Sequence, residues 1–244
     1  MNQIIGIIGG MGPLATCDLF HKAIEMTQAK TDQEHAHIII DCNTNIPDRT
    51  QAILYGGPSP VPEIRKSAER LIAMGAKVLI MPCNTAHFYY DEICRDLTVP
   101  LLHMPKETAK ALNAMGYHKV GLLATEGTLK AGIYQEPLLK AGITPIIPTE
   151  REQIHVTKLI YDGVKAGQFQ LDLTGIHQVT ERLFADGAET LLLACTELPI
   201  AFQNHLIHTN YVDPLEILAA AALTKIGKTP APYPWKRSTH TYRI

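Results

Sequence analysis

One stretch of this 244-residue chain occurs twice. Residues 74–85 and 186–197 align without a gap, so that Gly75 meets Gly187, Ala76 meets Ala188, Leu79 meets Leu191 and Cys83 meets Cys195. A second pair, 5–16 and 120–131, sets Gly6 on Gly121, Gly12 on Gly127 and Leu14 on Leu129. Downstream of each cysteine comes a Pro-initiated helical pattern, His103-Met104-Pro105-Lys106-Glu107 in one copy and Val212-Asp213-Pro214-Leu215-Glu216 in the other. A repeat on this scale is a supersecondary unit used more than once, so the chain is expected to fold as two similar lobes.

The units themselves read as α/β. Apolar, β-rich runs at 3–9, 37–41, 77–81, 100–103, 119–124, 144–147 and 190–194 alternate with helical patterns that include 62–74, 106–115 and 174–185. Alternation of this kind builds parallel sheets. Ile38-Ile39-Ile40 and Leu191-Leu192-Leu193 are apolar at consecutive positions, as strands are when helices cover both sheet faces. Lobe one is expected over 1–103 plus 212–227 and lobe two over 104–211, the last helix (214–226) crossing back onto lobe one. Residues 228–244, with Pro230, Pro232, Pro234 and Trp235, are expected to be extended. Ligands of such sheets bind at the carboxyl ends of the strands, which puts an active-site cleft between the lobes with both cysteines at it.

Composition narrows the partners. With 22 basic and 24 acidic side chains the formal charge is -2, which argues against nucleic acid or an anionic membrane. No apolar run reaches the length of a membrane span and the first residues carry no basic targeting region, so a cytoplasmic protein is expected. Five cysteines without a CxxC pair fit neither a disulfide framework nor a structural zinc site. Cys17 and Cys94 fall on helical patterns and read as packing residues.

Cys83 and Cys195 are different, because they stand at equivalent places in the two repeats. Each lies where a strand gives way to a helix, a position that stabilises thiolate. If the lobes are related by a pseudo-dyad, the two sulfurs face one another across the cleft. One reaction class needs a base on one face of a carbon and an acid on the other: two-base racemisation or epimerisation. Sulfur suits the task, since an unperturbed thiol is already about 3% thiolate at neutral pH. Asn84, Thr85, Thr125 and Thr196 supply hydrogen-bond donors beside the cysteines for the charge that develops.

The same residues admit other readings. Gly10-Met11-Gly12-Pro13-Leu14-Ala15 has the GxGxxA form of a dinucleotide turn, which would make an oxidoreductase. Pro13, however, lacks an N–H where a pyrophosphate wants one. His87, four residues after Cys83, could form a Cys/His nucleophile pair, but that leaves Cys195 idle. His35 and His37 make an HxH with no third ligand, which is a poor metal site. A non-enzymatic dicarboxylate binder on the same fold is the remaining class.

Six ordered motifs carry a resemblance: GGMGPLAT (9–16), IPDRT (46–50), MPCNTAH (81–87), LLATEGT (122–128), DGVKAG (162–167) and ACTEL (194–198). Over residues 1–227 the chain resembles the aspartate/glutamate racemase family, and within it the cofactor-independent aspartate racemases. The resemblance implies two pseudo-symmetric α/β lobes, an L-/D-aspartate interconversion, a homodimer, and no pyridoxal phosphate or metal. It implies Cys83 and Cys195 as the acid/base pair. Asn84, Thr85, Thr125 and Thr196 would hold the α-carboxylate, with Met11 and Glu197 also at the substrate. Arg49 and Lys165 resemble the cations that aspartate-specific members set against the side-chain carboxylate, and a dianion in a closed cleft needs such partners. Glutamate or broad specificity within the same family is the alternative. Two departures are Cys42, where a polar residue is expected, and the Pro-rich tail.

Overall fold

The computed structural model of the protein describes residues 3–168, 170–205 and 207–231. The first half of the chain runs β1 (Ile4–Gly9), α1 (Pro13–Met26), β2 (Ile38–Cys42), α2 (Arg49–Tyr55), α3 (Val61–Ala73), β3 (Ala76–Ile80), a 3-10 turn (Thr85–Tyr89), α4 (Tyr90–Cys94) and α5 (Met104–Ala114). The second runs β4 (Lys119–Ala124), α6 (Glu126–Lys130), α7 (Gln135–Lys140), β5 (Thr144–Ile146), α8 (Glu150–Lys158), a π-helix (Leu159–Lys165), α9 (Thr174–Ala185), β6 (Thr190–Ala194), α10 (Glu197–Asn204), β7 (Tyr211–Val212) and α11 (Pro214–Lys225).

These strands form two parallel sheets, ordered β2-β1-β3 and β5-β4-β6-β7. Leu101 adds a single parallel bridge to Leu79 of β3, so the two sheets share one plan with the fourth strand stunted in the first. The segment 100–103, expected as a strand, therefore pairs at one residue only. Pro100 brings no N–H to a ladder, and His103 has already turned to cap α5, its Nδ1 accepting from Lys106 N at 3.3 Å.

The repeat is visible in the packing. Gly6 of β1 pairs with Leu79 of β3, and a Cβ on Gly6 would lie 2.8 Å from Leu79 Cδ2. Gly121 of β4 pairs with Leu191 of β6, and a Cβ there would meet Leu191 Cδ2 at the same 2.8 Å. Both glycines make room for a leucine on the next strand, in the same register. One face of the first sheet packs Ile8 and Leu79 against Ile64, Ala68 and Leu71 of α3. The other packs Ile5, Ile7, Val78 and Ile80 against α1 and α11. In the second sheet Leu123, Leu191 and Leu193 meet Val179 and Leu183 of α9, while Val120, Leu122 and Leu192 meet Leu112 of α5 and Tyr134. Each such leucine or isoleucine contributes roughly 1.5–3 kcal/mol on burial.

Helix α11 ties the halves together. Leu215, Leu218 and Leu223 enter the core beneath the first sheet, while Ile217 enters that of the second. Its N-cap, Asp213, accepts from Leu215 N at 2.9 Å and lies 3.2 Å from Lys22 Nζ of α1. Lys22 is also paired with Asp18, one turn back on α1. Pro230 bridges antiparallel to Thr27, and Ala231 N donates to Met26 O at 2.7 Å; the rest of the expected extended tail, 232–244, lies outside the described residues. Among the described residues no helix is long and apolar enough to cross a membrane. Cys94 packs half-buried on the first core, whereas Cys17, expected to pack, is exposed on the outer face of α1.

Candidate active site

Cys195 directly follows β6, and Thr196 is the N-cap residue of α10. Cys83 follows β3 by three residues and leads into the 3-10 turn rather than an α-helix. The symmetry of the repeats thus stops at the cysteines. Two residues beyond Cys83 stands Thr85, and two beyond Cys195 stands Glu197.

All ten residues singled out from the sequence line one cavity: Met11, Arg49, Cys83, Asn84 and Thr85 from the first half, with Thr125, Lys165, Cys195, Thr196 and Glu197 from the second. The two halves touch closely there. A Cβ on Gly12 would sit 3.5 Å from Glu197 Oε1, and one on Gly127 would sit 3.0 Å from Thr50 Oγ1. These glycines are equivalent in the repeat, and each is the point where the opposite half approaches the backbone. The cavity holds only about 10 Å³, room for about one water.

Its charges are held by neighbours. Arg49 Nη2 donates to Met11 O, in the Gly-rich turn, at 2.8 Å and Nη1 to Pro47 O at 3.1 Å. Burial opposes the Arg49 charge, but Cys83, Asp48 and Glu197 together raise its pKa. Lys165 is likewise buried against its charge and held cationic by Glu197 and Cys195, with its Nζ 4.4 Å from the Tyr161 ring centre. Cys195 Sγ donates to Glu197 Oε2 at 3.0 Å, and Thr196 Oγ1 donates to the same oxygen at 3.0 Å. Burial first, and then the Glu197 carboxylate, push the Cys195 thiol well above its ordinary range, with Lys165 pulling the other way.

The hydroxyls form a ring across the interface: Thr85 Oγ1 lies 3.0 Å from Thr125 Oγ1 and 2.9 Å from Thr128 Oγ1. Asn84 Nδ2 is buried with no hydrogen-bond partner among the described residues. His87 is excluded as a partner for the Cys83 sulfur. Its Nδ1 is bonded to Cys83 O at 2.9 Å and its Nε2 accepts from Met104 N at 3.1 Å. Burial, then the nearby His103, lower its pKa to about 4.

Three lining residues escaped sequence reasoning: Asp48, Thr50 and Tyr161. Asp48 and Thr50 flank Arg49, and Tyr161 precedes Lys165 by four residues, a spacing that could have paired them on one helical face. The π-helix that carries both could not be read from composition, though such irregularities recur at functional sites.

A sequence family described as Asp/Glu/hydantoin racemase matches residues 8–222. The chain belongs to that family. It is therefore a racemase, an isomerase by class. It is 29% identical over 231 residues to the broad specificity amino-acid racemase RacX of Bacillus subtilis (strain 168), covering 91% of this chain and 97% of that one. A glutamate racemase of Lysinibacillus sphaericus is 33% identical over 151 residues, which is 59% of this chain and 56% of that protein. Among solved structures, Picrophilus torridus aspartate racemase superposes with a TM-score of 0.84 at 34% identity, covering 93% of this chain and 96% of that one.

Proposed function

We propose that this racemase interconverts L- and D-aspartate by proton transfer between two thiols, without a cofactor. The observation that carries the reading is that Cys83 and Cys195, from opposite repeats, line one cavity together with two cations, Arg49 and Lys165. A thiolate at Cys83, beside the Arg49 guanidinium, removes the α-proton. The C–H electron pair passes into the α-carboxylate, which becomes an enediolate held by the amide and hydroxyl donors of Asn84, Thr85, Thr125 and Thr196. The Cys195 thiol, kept protonated by burial and Glu197, gives its proton to the opposite face. The product leaves with Cys83 protonated and Cys195 as thiolate, ready for the other enantiomer or for reset through solvent. Two cations beside one substrate favour a dicarboxylate over a neutral amino acid. A homodimer is part of this reading, with the exposed Leu14, Phe20 and Ile24 of α1 as apolar surface for it.

A broad-specificity racemase is the second reading, favoured by the match to RacX along nearly the whole chain. The test is α-proton exchange in deuterated water, followed by NMR, with L-aspartate, L-glutamate and neutral L-amino acids in parallel. Exchange with inversion confined to aspartate supports the first reading, and comparable rates on neutral amino acids support the second. Racemisation should disappear in both Cys83→Ser and Cys195→Ser, because each face must be served and a hydroxyl is too weak a base. Near-normal racemisation by either variant would remove the two-thiol mechanism.

A further inference from the structure

Tyr134 lies outside the cavity lining, yet its hydroxyl reaches to the residue next to Cys83. Its ring is fully buried in the core under the second sheet, among Leu138, Ala194, Val212 and Ile217. A hydroxyl in such surroundings must find a partner. Thr108 lies within hydrogen-bonding reach of it in the same half, and across the interface Tyr134 OH donates to Asn84 Oδ1 at 2.5 Å. That bond occupies the carbonyl of the Asn84 amide. The planar amide then has only its Nδ2 left to offer, and Nδ2 of this cavity-lining residue is buried without a partner among the described residues.

We propose that Tyr134 is a positioning residue for catalysis, which locks the Asn84 side chain so that its amide N–H, and not its carbonyl, faces the α-carboxylate of the substrate. The inference rests on the reading of this cavity as the racemase site, but not on aspartate as the substrate, since every amino acid brings an α-carboxylate. A reversed amide would set carbonyl lone pairs against that carboxylate, and the repulsion would grow as the enediolate gathers charge. Burial raises the Tyr134 pKa well above its ordinary value, so the hydroxyl remains a donor through the working pH range. A phenylalanine keeps the packing and loses the lock.

The test is a double-mutant cycle of Tyr134→Phe and Asn84→Ala, with kcat and KM measured in both directions on whichever amino acid the parent racemises. Tyr134→Phe should lower kcat/KM by about tenfold to a hundredfold, the worth of one donor to a charged acceptor, while near-UV circular dichroism keeps its parent form. In the Asn84→Ala background the same substitution should change kcat/KM by less than about twofold, because nothing is left to position. An equal loss in both backgrounds would assign Tyr134 a purely structural role and overturn the proposal. Asn84→Asp gives an independent arm that leaves Tyr134 in place: both oxygens are acceptors, so it should be at least as impaired as Asn84→Ala. Parent-like turnover by Asn84→Asp would also overturn the proposal. Failure with aspartate but success with another amino acid touches only the substrate assignment, since the cycle is then read on that amino acid.

Discussion

Among the described residues Lys22 is the largest charged side chain that is completely buried, and replacing it with methionine tests how the last helix is held. Its side chain is 2% exposed, with the ammonium paired to Asp18 on its own helix and 3.2 Å from Asp213 at the start of α11. Burial works against the charge, yet Asp213, Asp18 and Glu216 outweigh it, so its pKa is raised and the lysine stays protonated across the ordinary pH range. Lys22→Met keeps the volume and removes the cation, leaving the Asp213 carboxylate in the core beside Asp18. Breaking a buried pair by one partner costs about 3–5 kcal/mol, which at about 2–4 °C per kcal/mol for a chain of this size lowers Tm by roughly 6–20 °C. The pH dependence has a definite sign. Burial already raises the Asp213 pKa, with Lys22 the main restraint. Removing Lys22 raises it further, and an acid with a raised folded pKa costs stability above that pKa and ceases to do so as protonation takes over. The gap between variant and parent, read from urea unfolding, should therefore narrow from pH 8 to pH 5. Lys22→Met/Asp213→Asn should recover most of the loss. A single variant within about 1 kcal/mol of the parent at pH 7, or a gap that widens on acidification, would refute the reasoning.

Two further outcomes concern the cavity. Arg49→Ala or Lys165→Ala should weaken aspartate turnover by about 2–5 kcal/mol in kcat/KM, the cost of a buried carboxylate left unpaired, while neutral amino acids lose much less; parent-like kinetics in both would misplace the dicarboxylate site. In the direction where Cys195 is the acid, activity is lost as pH rises through its pKa, which burial and then Glu197 raise. Glu197→Gln should move that basic limb to lower pH and Lys165→Ala to higher, and a pH–rate profile that stays put in both would separate Cys195 from these neighbours.

The parts of the fold that follow from local pattern were legible beforehand. Six of the strands fall within a residue or so of their expected places, because consecutive apolar residues between turn signals leave little choice of register. The repeat also identified Gly6 with Gly121, and the packing reason, a leucine methyl seated over each, appears only in the folded state. The stunted strand at 100–103 went wrong where two local preferences competed: apolar Leu101 and Leu102 favour a strand, and the His103 cap with Pro105 begins a helix first. Cys17 was expected to pack, since the helical pattern shows a face but not whether another element covers it. Tyr134 was invisible for a deeper reason. Its contact with Asn84 spans fifty positions, and nothing in the residues around it distinguishes it from an ordinary core tyrosine.

The symmetry of the frame and the asymmetry of its chemistry belong together in the two-thiol reading. A site with two identical thiols would have no preferred place for the single proton that must lie between them at the start of each turnover. Here the duplicated sheets bring the cysteines to one cavity, while the residues two places on differ. Glu197 takes a hydrogen bond from the Cys195 sulfur, and its counterpart Thr85 joins a neutral ring of hydroxyls with Thr125 and Thr128. Arg49 stands beside Cys83, while burial and then Glu197 raise the Cys195 pKa, so the two sulfurs have unlike surroundings. This difference cannot favour one enantiomer at equilibrium, because the two are equal in free energy and kcat/KM must be the same in both directions. It can divide that ratio differently between kcat and KM, and give kcat different pH limbs in the two directions. An asymmetric pair inside a symmetric scaffold therefore changes the route by which each enantiomer is handled and leaves the end point untouched.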